Sequence, residues 1–206
     1  MSTYQTEEEQ VEALKKWWKE NGKWAIGGIV LGLAVVGGFK GWTEYQRVQA
    51  ENASANYEGF AQAARSGDLD TAVQRGEALM QEYQGSTYAL FTALDLARLQ
   101  LDAGDKEKAR LRLQWVVDNA GDEAIAKLAK VRLARLMLDM DAMDEASALA
   151  ANPADDAWMG EFLSIQAEVK LARGDREGAR NDFARALEKG VSNPTLVRMK
   201  LAELGG

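Results

Sequence analysis

The chain has 206 residues, enough for one membrane anchor and one domain of ordinary size, and it contains neither histidine nor cysteine. The lack of histidine excludes Ser-His-Asp and Cys-His catalysis and every histidine metal site. The net charge is −7, and residues 41–206 carry all of it with 20 basic and 27 acidic residues, since five lysines cancel five glutamates in residues 1–40. An acidic domain does not favour nucleic-acid binding, so no nucleic-acid partner is predicted.

Residues 1–22 are predicted to form an amphipathic arm. Thr6-Glu-Glu-Glu9 has the form of a capping box, and the turn-forming pair Asn21-Gly22 is predicted to end the helix near Glu20. The helix can lie on a membrane surface or dock on a partner, and both interpretations stay open. Its apolar face consists of Val11, Leu14, Trp17 and Trp18, and the flanking lysines are Lys15, Lys16 and Lys19.

An uncharged apolar segment, Trp24–Phe39, follows the arm. As a helix it reaches about 24 Å, which is less than the ~30 Å core of a bilayer. If Lys40 snorkels, residues 23–43 span the membrane, and Trp42 lies at headgroup level. A buried core helix is disfavoured because each glycine destabilises a soluble helix. A cleaved signal peptide is disfavoured by the acidic run Glu7-Glu8-Glu9 in its charged region.

Small residues form a stripe along this predicted transmembrane helix. At about 100° per residue, four of them lie within about 60° of one another, and a stripe of that kind lets a second transmembrane helix approach closely. We expect the stripe to dock a neighbouring helix; the alternative is that its glycines only adjust packing or flexibility. The stripe consists of Gly27, Ala34, Gly38 and Gly41, whereas Gly28 and Gly32 lie on the opposite face.

The lysines around the span predict its orientation. Four precede it, whereas only Lys40 and Arg47 follow within about twenty residues, and basic residues favour the cytoplasmic side. The N-terminus is therefore predicted to be cytoplasmic, with residues 44–206 in the periplasm and the chain in the cell inner membrane. The four preceding lysines, which also face lipid headgroups, are Lys15, Lys16, Lys19 and Lys23.

Residues 44–206 show helical spacing throughout, together with an internal repeat. The helix of the span is predicted to continue to about Arg65. The repeated unit is Ala-x6-Gly-Asp-x3-Ala, and its copies are separated by 37, 37 and 33 residues, close to the tetratricopeptide period of about 34. The predicted fold is all-α: a short amphipathic helix, one transmembrane helix and a degenerate tetratricopeptide-like solenoid of helical hairpins.

Each position of the repeat has a physical role. The small residues let paired helices approach closely, glycine ends the first helix in a left-handed conformation, and aspartate caps the second. In the weakest copies, Asp141 takes the glycine position and Gly67-Asp68 forms the first turn. A last helix is predicted to close the core with Leu196, Val197, Leu201 and Leu204. The predicted repeat-packing residues are Ala97, Gly104, Ala109, Ala134, Ala146, Ala167, Gly174 and Ala179.

The segment Gln10-Val-Glu-Ala-Leu-Lys-Lys-Trp-Trp-Lys-Glu-Asn-Gly-Lys23, which leads into the glycine-rich span, resembles the YfgM family of ancillary subunits of the bacterial SecYEG translocon. The likeness extends from about Val11 to the end of the domain. It implies association with SecYEG and with the membrane-anchored periplasmic chaperone PpiD. It also implies a role in which newly exported proteins pass from the translocon to chaperones. The residues alone predict a membrane-tethered adaptor.

Three alternatives remain at this point: an envelope scaffold of another complex, a soluble exported binding module, and an enzyme. The first two would use the same repeats and differ in their partners or in their anchor. The sequence has no paired-carboxylate motif and no phosphate loop of the G-x-x-x-x-G-K form. The chain is therefore predicted not to be an enzyme and to bind no cofactor.

Overall fold

A computed structural model describes residues 7–151, 153–154 and 156–205 of the chain. These residues contain nine α-helices and no β-strand, so the predicted all-α fold is confirmed. The predicted capping residue Thr6 lies outside the described residues. The helices are α1 (Glu7–Ser66), α2 (Leu69–Glu82), α3 (Thr87–Asp102), α4 (Lys106–Asn119), α5 (Glu123–Asp139), α6 (Met143–Leu149), α7 (Met159–Ala172), α8 (Arg176–Lys189) and α9 (Pro194–Gly205).

The chain divides into two compact units, Met1–Glu51 and Asn52–Gly206, which are described separately below. The first unit contributes only helical residues of α1 to the described part of the chain. The second unit begins within α1, whose last residue is one position beyond the predicted end. We call the second unit the repeat domain. The assignment of arm, span and periplasmic domain to 1–22, 23–43 and 44–206 stays a prediction.

The predicted helix end at Asn21-Gly22 is wrong, because α1 continues through both residues. The side-chain amide of Asn21 donates a hydrogen bond to the Trp17 carbonyl oxygen at 3.2 Å, one turn earlier in the same helix. Gly22 lies under the Trp18 indole, whose ring atoms would be 3.3–3.4 Å from a Cβ added there. Both turn-forming residues are therefore used inside the helix, and the predicted arm and span are one element.

The repeat domain consists of four helical hairpins followed by α9. The end of α1 meets α2, whose Arg75 donates a hydrogen bond to the Gly59 carbonyl oxygen at 3.0 Å. In the same way α3 pairs with α4, α5 with α6 and α7 with α8. Successive hairpins also pack on one another, as in the contacts of α2 with α3 and of α4 with α5. This arrangement is a tetratricopeptide-like stack, in which each hairpin buries its apolar face against the next one.

The four hairpin turns share one backbone conformation. Gly67, Gly104 and Gly174 have φ values of 76°, 83° and 84°, and Asp141 takes the same position with φ 59°. This left-handed conformation favours glycine, and aspartate is among the few other residues that tolerate it. In each turn the next residue donates its amide proton to a carbonyl five residues back, as from Asp105 to Gln100 at 2.7 Å.

The core of the repeat domain falls into three clusters of buried side chains. The largest runs from Phe60 on α1 to Met137 on α5 and includes Val169 on α7. A second contains Phe162, and a third surrounds the fully buried Phe183. A chain of separate clusters is the expected outcome of a stack in which each hairpin contacts mainly its neighbours.

Helix α9 closes the last cluster with one face only. Val197 is buried there, and Leu201 and Leu204 pack against the same cluster. The prediction that Leu196 also closes the core is wrong, since 45% of this residue is exposed. Positions 197, 201 and 204 share one helical face, whereas 196 is turned about 100° away from 197.

Candidate functional site

The first unit presents an exposed apolar helix surface. Within α1, the most apolar window of eighteen residues has a mean hydropathy of 1.6, and 6% of that window is buried. The helix is long and apolar enough to cross a membrane by length and composition. From Val11 to Val48 its large apolar side chains are exposed, including Trp24, which is 83% exposed.

The residues of the small-residue stripe are all exposed on α1. A Cβ added at Gly27, Gly38 or Gly41 would meet no atom within 4 Å beyond the neighbouring helix backbone. The same holds for Gly28 and Gly32 on the opposite face. Both faces are therefore free of packing partners within the described chain. The other stripe residue is Ala34, and the exposed lysines of the first unit include Lys15, Lys16, Lys19 and Lys23.

The repeat-packing alanines are all buried, but only two of the three predicted pairs meet in one cluster. Ala97 and Ala109 lie together in the largest cluster, and a second pair lies together around Phe183. The third pair is split, because one member packs with Phe162 and the other faces the largest cluster. The second pair is Ala167 and Ala179, and the split pair is Ala134 and Ala146.

Aspartates cap the second helix of three hairpins. Asp68 accepts a hydrogen bond from the Thr71 amide at 3.0 Å, and Asp105 accepts one from the Lys108 amide at 3.1 Å. The Thr71 hydrogen bonds lower the pKa of Asp68, and the Lys108 ammonium and amide lower the pKa of Asp105. Asp175 caps α8 in the same way. In the hairpin of Asp141, α6 has no side-chain cap.

Two neighbouring hollows on the repeat domain share residues of α5, and the first of them, between α3 and α5, encloses about 400 Å³. We call it the arginine groove. Its floor is apolar and its rim is charged, a combination that suits recognition of an amphipathic segment. The floor residues are Leu94, Ala97, Leu101, Leu113 and Leu136. The rim residues are Arg98, Arg132, Arg135 and Asp139.

The second hollow lies between α5, α7 and α9 and encloses about 480 Å³. Arg135 and Asp139 line both hollows, so the two meet along α5. Glu168 and Lys200 form an ion pair at the far side, and the exposed Leu196 contributes an apolar wall. The hollows together follow the first helices of successive hairpins, which form the concave surface of a tetratricopeptide solenoid.

The sequence did not predict the rim arginines as a site. A signal was present, because Arg98 and Arg135 occupy the same place in the repeated Leu-Ala-Arg-Leu at 96–99 and 133–136. The corresponding position of the last hairpin is Glu168, which also lines a hollow. In three of the four hairpins this position therefore places a charged residue at a hollow, whereas the first hairpin has Ala61 there. Arg132 has no counterpart in the repeated pattern and could be found only from the structure.

The described residues contain no group of three or more acidic side chains that could hold a metal ion. Their charged side chains form ion pairs, as Lys127 does with Asp156 before α7 and with Glu123 one turn earlier in α5. The hydrogen bond between Lys127 and Asp156 lowers the pKa of the Asp156 carboxyl group and raises the pKa of the Lys127 ammonium group. The Lys127–Asp156 pair joins α5 to the segment before α7.

Helical hairpins with a shared turn, an apolar concave groove and buried alanine contacts define a tetratricopeptide-like domain. The chain belongs to the tetratricopeptide repeat-like domain family, whose match covers residues 15–206. This match includes part of the first unit as well as the repeat domain.

Curated relatives confirm the resemblance to the YfgM family. The chain is 29% identical over 199 residues to a protein of Escherichia coli (strain K12) named ancillary SecYEG translocon subunit, with 97% of this chain and 95% of that protein covered. It is 27% identical to the protein of the same name from Haemophilus influenzae, with 96% and 97% covered. A third relative of that name, from Aggregatibacter actinomycetemcomitans, is 26% identical over 96% of this chain and 97% of its own length.

Proposed function

We propose that this protein is a single-pass inner-membrane adaptor that associates with the SecYEG translocon and links exported proteins to periplasmic chaperones. The N-terminus would be cytoplasmic and the repeat domain periplasmic. The chaperone partner that we propose is PpiD, which the resemblance to the YfgM family implies. The protein would act by binding, without catalysis or a cofactor.

The observation that carries this proposal is the exposed apolar stretch of α1 on a chain that matches relatives named ancillary SecYEG translocon subunit along nearly their full length. An exposed helix of this hydropathy is stable in lipid, because its apolar side chains leave water and its backbone hydrogen bonds are satisfied within the helix. The hollows of the repeat domain supply a second binding surface in the other unit. Two separate surfaces support an adaptor role.

Translocon association is tested with two matched double variants of the span. Gly27→Leu/Gly38→Leu fills the small-residue stripe, and Gly28→Leu/Gly32→Leu places the same two side chains on the opposite face. Both variants keep the helix apolar, so both should insert. Co-purification of translocon subunits from native membranes should fall with the first variant and persist with the second. Equal recovery with both variants, or no recovery of translocon subunits with the unaltered protein, would contradict the proposal.

Orientation is tested by cysteine labelling, because the natural chain has no cysteine. Ser2→Cys marks the cytoplasmic end, and Gly121→Cys marks an exposed turn of the repeat domain where an added Cβ meets nothing within 4 Å. A membrane-impermeant maleimide added to spheroplasts should label Gly121→Cys alone, and both variants after lysis. Labelling of Ser2→Cys in intact spheroplasts would reverse the orientation. If the measured mass of the mature protein showed that the N-terminal segment had been removed, the protein would be a soluble exported module.

A further inference from the structure

We infer that the arginine groove between α3 and α5 binds an acidic, amphipathic polypeptide segment of a partner protein, with Arg98 and Arg132 contacting its carboxylates. This inference deepens the proposed function, on which it rests for the partner's identity. Its first support is the shape of the site. Five apolar residues form the floor of a hollow of about 400 Å³, and charged residues surround it.

The second support is the charge of the rim compared with the charge of the protein. The whole chain has a net charge of −7, yet the groove is lined by three arginines and a single acidic residue. An acidic segment would be repelled by most of this domain and attracted here. Such local reversal of charge is the usual basis of electrostatic complementarity between partners.

The third support is the pairing of the rim side chains. Arg135 pairs with the buried Glu161, and Asp139 pairs with Lys106 at 2.8 Å, so both have partners inside the domain. Arg98 has one exposed partner, Asp102, at 3.2 Å. Among the described residues, no hydrogen bond or ion pair engages the exposed Arg132, which lines the groove. A guanidinium group has five N–H donors, so Arg132 and most of the donors of Arg98 are available.

These features select the chemistry of the occupant. Arginine binds carboxylates through paired, charge-assisted hydrogen bonds, and the apolar floor would bury leucine-like or aromatic side chains between them. A segment with both kinds of residue would satisfy the rim and the floor together. A neutral apolar segment would leave the arginines without counter-charge, and a basic one would be repelled.

The test measures fluorescence anisotropy with the full-length protein in detergent micelles. The probe is a fluorescein-labelled peptide of Glu, Leu and Ser, compared with versions in which Gln or Lys replaces Glu. The acidic peptide should bind most tightly, and its affinity should fall as salt is raised. Arg132→Gln should weaken it about tenfold, the size of one charge-assisted hydrogen bond. Arg98→Gln/Arg132→Gln should weaken it further.

The matched control is Arg110→Gln. Arg110 lies on α4, pairs with Glu107 at 3.0 Å and lines neither hollow. This variant removes the same charge from the same domain and should leave peptide affinity unchanged. Thermal unfolding of each variant shows whether it is folded, so that lost binding is not mistaken for lost structure.

Several results would overturn the inference: equal binding of the acidic and neutral peptides, no peptide binding, or equal losses with Arg110→Gln and Arg132→Gln. Binding of anionic phospholipid vesicles that depends on Arg132 without peptide binding would assign the groove to lipid instead. The peptide experiment needs no translocon. Loss of translocon co-purification would therefore leave peptide binding standing, and lack of peptide binding would leave translocon association standing.

Discussion

Glycines and large apolar side chains are placed differently in the two units of the chain. In α1, a Cβ at any of the six glycines from Gly27 to Gly41 would meet nothing within 4 Å, whereas a Cβ at Gly160 would lie 1.9 Å from the Gly190 carbonyl oxygen. Phe39 is 68% exposed, whereas Phe183 is completely buried. In the repeat domain these residue types therefore stabilise the fold by internal packing. In the first unit they are exposed, so the stability of that helix depends on its surroundings.

The contrast indicates that the two units are stabilised in different ways. The repeat domain buries enough apolar area to hold its hairpins together in water. The exposed stretch of α1 obtains no such stabilisation from the described chain, so its apolar surface is available to lipid or to another helix. Substitutions of the same type made in each unit should therefore have different effects, and the following pairs measure that difference.

The largest difference is expected for phenylalanine. Phe183→Ala removes a fully buried ring from the last core cluster and should lower the free energy of unfolding by about 3–5 kcal/mol, because a cavity remains. Phe39→Ala should leave the stability of the repeat domain unchanged. Denaturant unfolding of the full-length protein in detergent, followed by tryptophan fluorescence, measures both. Similar losses for the two variants would mean that the exposed stretch of α1 around Phe39 packs against the rest of the chain.

The second comparison introduces an arginine at an exposed leucine in each unit. Leu33→Arg places a guanidinium near the middle of the span and should oppose insertion by about 2.5–3.5 kcal/mol. Leu111→Arg, at a position on α4 that is 58% exposed, should change stability by less than about 0.5 kcal/mol. Carbonate extraction of membranes measures the inserted fraction. If Leu33→Arg remained fully inserted, or both variants were extracted alike, the proposed membrane span would be contradicted.

Glycine-to-alanine changes give the third comparison. Gly160→Ala would place a methyl group against the Gly190 carbonyl, and backbone on both sides must shift, so a loss of about 3 kcal/mol is expected. Gly28→Ala adds a methyl group where nothing lies within 4 Å and improves helix propensity. Thermal unfolding should thus show a lower Tm for Gly160→Ala alone. An unchanged Tm would show that the α7 contact with Gly190 relaxes freely.

The turns of the repeat domain could be predicted from sequence because their chemistry is local. Each turn needs a residue that tolerates the left-handed conformation, and in three of the four turns the next aspartate caps the second helix. Spacing alone identified Asp141 as the substitute for glycine in the fourth turn. The end of the first helix could not be predicted in the same way. Asn21-Gly22 has turn propensity, but Trp17 and Trp18 engage both residues within the helix.

The arginine groove shows a different limit of sequence reasoning. Arg98 and Arg132 are 34 residues apart in the chain, and only the packing of α3 against its neighbours places them around one hollow. Periodicity predicted which residues are small or apolar, since those repeat. It did not predict where Arg132 lies, because that residue is outside the repeated pattern. The small-residue face of α1, in contrast, follows from helix geometry alone.

The smallest expected effect concerns the caps of the repeat domain. Hydrogen bonds lower the pKa of Asp68 and of Asp105 from the ordinary value of 3.8. A lowered pKa in the folded state means that the charged form stabilises the fold above that ordinary value, and that this contribution is lost as the pH falls through the folded pKa. Asp68→Asn/Asp105→Asn keeps the capping hydrogen bonds and removes the charges.

The Tm of the full-length protein in detergent, measured from pH 7 to pH 3, tests this assignment. The unaltered protein should lose stability below about pH 4, and the double variant should lose less over the same interval. Asp70→Asn, which changes an exposed aspartate beside the first cap, should follow the unaltered protein. If the Tm of the double variant fell in parallel with that of the unaltered protein, the caps would act through hydrogen bonding alone. The acid sensitivity would then have to come from ion pairs such as Lys127 with Asp156.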